Sequence, residues 1–191
     1  MQRLFACSLL LLATTIYGQE LKLGSQVDNF EVKNLDGKVV SFAELRGPIT
    51  VVTFISVQCP VSNAYNERMN AVYRDYGAKG VKFIFVNANN SESTGDVAAH
   101  AKRVGFAFPV YKDPNNVLAD RFDAQVTPES YVIDSQGIIR YHGSIDDQQN
   151  ESRVRQRRLR AALDEVLAGK DVQAKQTKAF GCTIKRVRKA T

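Results

Sequence analysis

Residues 49–65, ITVVTFISVQCPVSNAY, constrain the fold more than any other stretch of this chain. Ile49 to Ile55 is β-branched or aromatic throughout, its polar content limited to Thr50 and Thr53, which is how a strand covered on both faces of a sheet reads. Apolar residues then return at roughly helical spacing through Ala64, Met69, Ala71, Val72 and Tyr73. Cys59 therefore falls at a strand-to-helix junction. Pro60 reinforces the assignment, because proline's fixed φ and missing N–H suit the first helical position and leave Cys59 at the N-cap.

A cysteine at a helix start has chemical potential. Unpaired first-turn N–H groups and the positive end of the helix dipole favour a thiolate, the species that attacks disulfides and peroxides. Ser62, three residues on, shares that first turn and can donate a hydrogen bond to the sulfur. An isolated Cys would read instead as a buried structural residue. The buried strand before Cys59 and the proline after it favour the reactive reading.

At 191 residues the chain is long enough for one domain with a proper core. Its opening, MQRLFACSLLLLATTIYGQE, places Arg3 before an apolar run and then small residues around Gly18, the pattern of a secretory signal peptide cleaved near Gly18 or Gln19. An uncleaved anchor is the alternative, and Cys7 belongs to this segment. Removing it leaves Cys59 and Cys182 in an exported, oxidising setting, free to pair with each other, to pair with partners or to stay apart. The net charge of +6 comes largely from residues 153–160 and 185–189. No aromatic residues interleave with those arginines, so they read as solvated faces, and no nucleic-acid partner is expected.

Along the mature chain, Asp36-Gly37 between two alternating arms predicts a hairpin, followed by one helical turn over residues 43–47. The central strand and a helix from Cys59 to about Tyr76 come next, then a strand over residues 81–87, which makes a parallel βαβ unit. A polar loop over residues 89–95 lies at that strand's carboxyl end, where sites gather in open α/β sheets. A helix over 96–104, a short strand at 109–111, a helix over 115–122 and an antiparallel hairpin over 130–142 follow. A last helix is predicted over 150–168. The divisions are a signal peptide over 1–19, a domain over 20–170 and a polar tail over 171–191 carrying Cys182.

This element order, with a cysteine opening the first long helix and Val126-Thr127-Pro128 just before the penultimate strand, resembles the thioredoxin fold. Phe30 to Ser41 followed by Leu45-Arg46-Gly47 is similar to the lead-in of its redoxin branch, the alkyl hydroperoxide reductase/thiol-specific antioxidant superfamily and its exported thioredoxin-like relatives. The likeness covers about residues 23–168. It implies an α/β fold with a central mixed sheet flanked by helices, an N-terminal β-hairpin and a C-terminal tail. It also implies that Pro128 is cis and faces Cys59, so that Thr127 and Pro128 shape a backbone edge able to pair with an extended substrate.

Departures from the family patterns set the chemistry. Thioredoxins carry a second cysteine where Ser62 stands, so Cys59-Pro60-Val61-Ser62 cannot close a local disulfide. A mixed disulfide resolved by Cys182 or by an external thiol remains open to it. Peroxiredoxins carry Thr or Ser three residues before the reactive cysteine, a place Ser56 fills. They also carry Pro seven before, where Val52 stands, and an Arg on a later strand, where Pro128 falls. Peroxidase chemistry is thus the weaker enzymatic reading, with Arg140 or Arg121 as substitute cations. Cys182 is expected to pair with Cys59, a separate structural bridge or an interchain bond being the alternatives. A copper-delivery role would need two near thiolates and a histidine, and only His100 and His142 exist. A non-catalytic binding module is the remaining alternative. The expected protein is an exported thiol–disulfide oxidoreductase acting on protein or small-molecule thiols and disulfides, with peroxides as the alternative substrate. Cys59 is its nucleophile, Cys182 the resolving partner, and Ser56, Ser62, Thr127 and Pro128 the surrounding site. No organic cofactor, metal or stable membrane insertion after signal cleavage is implied.

Overall fold

The computed structural model describes residues 20–188; the predicted signal peptide lies outside them. In chain order the elements are β1 (Glu31–Asn34), β2 (Val39–Ser41), α1 (Phe42–Leu45), β3 (Ile49–Ile55), α2 (Pro60–Asn63), α3 (Asn66–Gly77), β4 (Val81–Asn87), α4 (Thr94–Val104), β5 (Val110–Lys112), α5 (Val117–Arg121), β6 (Val126–Thr127), β7 (Glu129–Ile133), β8 (Ile139–Gly143), α6 (Arg158–Leu167) and β9 (Cys182–Thr183). Seven strands form one mixed sheet in the order β2-β1-β5-β4-β3-β7-β8, and β6 pairs with β9 in a second, two-stranded sheet. In the large sheet β3 runs parallel to β4 and antiparallel to β7, so its backbone is satisfied on both edges.

Every residue of β3 is buried, because the sheet is covered on both faces. Ile49, Val51 and Ile55 point to one side, where Met69, Val72 and Tyr76 of α3 and Leu159, Ala162 and Leu163 of α6 pack. Val52 and Phe54 point to the other, against Phe42, Leu118, Ala119 and Phe122. Each such side chain taken fully out of water contributes about 1.5–3 kcal/mol. The two threonines that interrupt the apolar run have local partners. Thr53 and Ser130 share a buried hydroxyl–hydroxyl bond of 2.9 Å across β3 and β7, and Thr50 Oγ1 accepts from Gly47 N at 3.1 Å.

Two expectations change. The single helix expected from Cys59 to Tyr76 is broken at Ala64 and Tyr65 into α2 and α3. Tyr65 anchors the break: its hydroxyl donates to Gln148 O at 2.8 Å and the Arg68 guanidinium lies 3.7 Å from its ring centre. The last helix begins at Arg158 rather than near Asn150. Asn150 caps a single 3-10 turn over Glu151–Arg153, Val154 is extended, and the Asp147 carboxylate takes the amides of Arg155 and Gln156 at 3.1 Å each. Those amides are then lost to a continuous helical ladder.

The polar stretch after α6 is laid across the domain. Val172 and Ile184 are buried, each in one of the two cores. His142 N donates to Lys175 O and Thr177 N to His142 O, and Gly143 lets the chain pass so closely that a Cβ there would lie 2.1 Å from Thr177 Oγ1. Farther on, Asn89 and Asn116 accept the amides of Lys185 and Val187 at 2.6 and 2.8 Å, while Asp120 pairs with Arg186 at 2.8 Å.

Candidate active site

Cys59 caps α2 with extended backbone, Pro60 occupies the first helical position, and the amide of Ser62 donates to the sulfur at 3.3 Å. The contact comes from the Ser62 backbone; its hydroxyl accepts from Ser56 N at 3.2 Å instead. Because α2 is a single turn, the field of a long helix dipole contributes less than the sequence suggests, and the local N–H is the nearest stabiliser of negative charge on sulfur. Cys59 is 3% exposed.

Its sulfur is bonded to that of Cys182, 123 residues away, with Cα atoms 5.8 Å apart. The Thr127–Pro128 peptide is cis, as the family resemblance implied, and the Thr127 carbonyl oxygen lies 3.5 Å from Cys59 Sγ. Register places Thr127 opposite Cys182 and Val126 opposite Thr183 in the β6–β9 ladder. The structure thus gathers Cys59, Cys182, Ser62, Ser56, Thr127 and Pro128 into one place.

Two buried carboxylates that sequence reasoning missed hold this place together. Glu92 reaches from the loop after β4 under the loop preceding Cys59. It accepts from Ser56 Oγ at 2.5 Å, Val57 N at 3.0 Å, Gln58 N at 3.1 Å and Asn89 Nδ2 at 3.3 Å, and also from Asn87 Nδ2. Ser56 Oγ in turn accepts from Cys59 N at 3.0 Å, so Glu92 connects to the Cys59 amide through one hydroxyl. Lys112 Nζ ties the same corner, donating to Asn87 Oδ1, Asn89 O and Glu92 O. Burial lowers its pKa, against the pull of Glu92 and Asp113.

Glu129 does for the β6 loop what Glu92 does for the Cys59 loop. Its carboxylate accepts from Gln125 N at 2.7 Å and Val126 N at 3.1 Å and lies 2.5 Å from His142 Nε2. Burial pushes this carboxyl up, but the bonds from His142, Val126 and Gln125 outweigh it and hold it below its ordinary value. The polar loop after β4 was the one signal for Glu92; nothing distinguished Glu129 from a solvated strand-end acid.

The two arginines considered for a peroxide site are committed elsewhere. Arg140 pairs with Asp171 at 2.7 Å, and Arg121 Nη1 donates to Asn29 O at 3.4 Å.

The AhpC/TSA family model matches residues 23–142. The chain belongs to the AhpC/TSA family. The thiol-disulfide oxidoreductase ResA of Halalkalibacterium halodurans is 30% identical over 132 residues, covering 68% of this chain and 74% of the relative. An uncharacterised conserved protein of Geobacillus kaustophilus has a crystal structure that superposes with a TM-score of 0.82 at 31% identity, over 89% of this chain and 95% of that one. The thioredoxin domain of a thiol-disulfide oxidoreductase of Bacteroides vulgatus shares the fold, with a TM-score of 0.54 at 18% identity over 63% and 86% of the two chains. This family member therefore has the thioredoxin-like fold expected of it. Among its described residues, no helix is long and apolar enough to cross a membrane.

Proposed function

We propose that this AhpC/TSA family protein is a thiol–disulfide oxidoreductase in which Cys59 is the nucleophile and Cys182 its resolving partner. The observation that carries the reading is the Cys59–Cys182 disulfide, seated where Ser62 N–H faces the sulfur. In the reduced protein the Cys59 thiolate attacks a partner disulfide, forming a mixed disulfide and releasing one partner thiolate. Cys182 then attacks Cys59 Sγ, the partner leaves as a second thiol, and the internal disulfide is restored. A dithiol donor reverses the sequence. In that direction the donor thiolate attacks Cys59 Sγ, and Cys182, the less buried residue of the pair, leaves as thiolate. Ser56 fixes the Cys59 amide, Ser62 supplies the N–H to sulfur, and Thr127 with Pro128 forms the docking edge. Protein thiols and disulfides are the partners, and export through the N-terminal signal places the reaction outside the cytoplasm.

The test is intact mass under alkylating conditions, on the reduced signal-less protein, with oxidised glutathione and separately with one equivalent of hydrogen peroxide. A glutathione adduct on Cys59 that collapses to the internal disulfide supports the reading. Rapid peroxide consumption without a glutathione reaction would replace it with a peroxidase. Two unreactive thiols would refute both.

A further inference from the structure

The β6 edge beside Cys59 is already filled by a segment of the same chain. Within residues 180–184, Phe-Gly-Cys-Thr-Ile, Cys182 and Thr183 pair with it as β9, with Thr127 opposite Cys182 and Val126 opposite Thr183, and Ile184 N donates to Gln125 O at 3.0 Å. A strand added to an exposed edge takes affinity from backbone bonds and specificity from what surrounds its side chains. Those surroundings differ sharply from position to position. A Cβ on Gly181 would stand 1.9 Å from the Thr127 carbonyl oxygen and 2.7 Å from its carbon, both backbone atoms that no rotamer change can move aside. Phe180 packs against Tyr65, with ring centres 6.4 Å apart. Ile184 is buried in the core on the far side of the sheet, whereas Thr183 is exposed.

We propose that residues 180–184 are an internal copy of the partner segment this site accepts, so that the protein, on the thiol-exchange reading above, selects extended cysteine peptides of the pattern aromatic–Gly–Cys–any–aliphatic. The glycine directly before the cysteine is the strictest requirement, since the clash it avoids is with main chain. Partner and tail compete for one edge. In the exchange step the Cys59 thiolate, its proton released to solvent, attacks the partner cysteine's sulfur; the Cys59–partner bond forms and the partner's old S–S bond breaks, its other sulfur leaving with the electron pair as thiolate. When Cys182 attacks Cys59 Sγ, the tail re-pairs with β6, so the chemical step that frees the partner's sulfur also displaces its backbone. Release is thereby coupled to resolution.

The experiment uses the full mature chain carrying Cys182→Ser, which leaves Cys59 unpaired. It measures the rate at which Cys59 forms mixed disulfides with thionitrobenzoate-activated peptides, read by the released chromophore. The probes are Ala-Phe-Gly-Cys-Thr-Ile, the same peptide with Ala for Gly, and the same peptide with Ser for Ile; oxidised glutathione is the small reference disulfide. The expected result is a Gly peptide at least tenfold faster than the Ala peptide, with the Ser peptide between them. Equal peptide rates alongside a normal glutathione reaction would overturn this inference and leave the exchange reading standing. Failure of every disulfide, glutathione included, would overturn both. The wild-type protein, freshly reduced, provides a second preparation in which the same Gly-to-Ala ratio is expected, since the tethered tail competes in both at a local concentration on the order of millimolar.

Discussion

Glu92 sits on a polar loop, yet it is 3% exposed and its two oxygens receive five donors. A glutamine there has one oxygen and one NH2 group, and either orientation sets that NH2 against at least two N–H donors: Val57 N and Asn87 Nδ2, or Gln58 N and Asn89 Nδ2. Leaving buried donors unmet costs about 1–3 kcal/mol each, so Glu92→Gln is expected to destabilise by roughly 2–4 kcal/mol. For a chain of this size that is a fall of roughly 5–15 °C in the thermal midpoint. Calorimetry checks it, and an unchanged midpoint would remove Glu92 from the site's support. Such a residue is hard to read in a sequence. Cys59 was legible because a buried strand and a proline bracket it, and Thr127-Pro128 because it stands just before a strand. An acid in the run Asn-Asn-Ser-Glu-Ser reads as solvated, since nothing local shows that five donors converge on it.

At the scale of elements, the β6 loop depends on the charge of Glu129. Its carboxyl is held below the ordinary value of 4.5, so the folded state binds that proton more weakly than the unfolded chain does. The stabilisation is therefore complete above the unfolded pKa and is lost as pH falls through the folded one. Glu129→Gln is expected to be destabilising at neutral pH, with the gap from wild type narrowing as pH falls below the ordinary value of 4.5 and closing once pH is below the lowered folded pKa, where both carry an uncharged side chain. Burial raises Asp113 and Asp146, whose effect has the opposite sign, but they are common to both proteins and cancel in the difference. Urea melts of the two proteins at neutral and acid pH measure the gap; one that does not change with pH would show that charge is not what holds the loop. The strands and turns were legible here where a local pattern shows, as in the alternating arms around Asp36-Gly37 or the apolar run of β3. The tail was not, because Asn89 and Asn116 hold its backbone and Asp120 its Arg186 side chain through bonds scattered over the sequence, and such bonds leave no periodic trace. The same holds for residues 150–157, where Asp147 captures amides that helical periodicity would have assigned to a ladder.

Taken whole, the molecule is joined at two distant points of its chain. Closing a loop of 123 residues removes enough unfolded-state freedom to stabilise by about 5 kcal/mol in the chain-entropy account. Reduction is then expected to lower the thermal midpoint by roughly 10–20 °C. Melts with and without reductant, beside Cys182→Ser as a permanently open form, test this; coincident curves would mean that the docked tail alone supplies the restraint. The bond also makes residues 59–182 a covalent ring, with a long arm before Cys59 and a short one after Cys182. The long arm contributes β3, which lies in the sheet between β4 and β7, both members of the ring. A protease that cuts one exposed loop anywhere in the ring therefore yields no separate fragments while the protein is oxidised. The nicked chain stays one molecule of unchanged mass but for a water, and its two pieces are covalently separate only once a thiol donor reduces the Cys59–Cys182 bond.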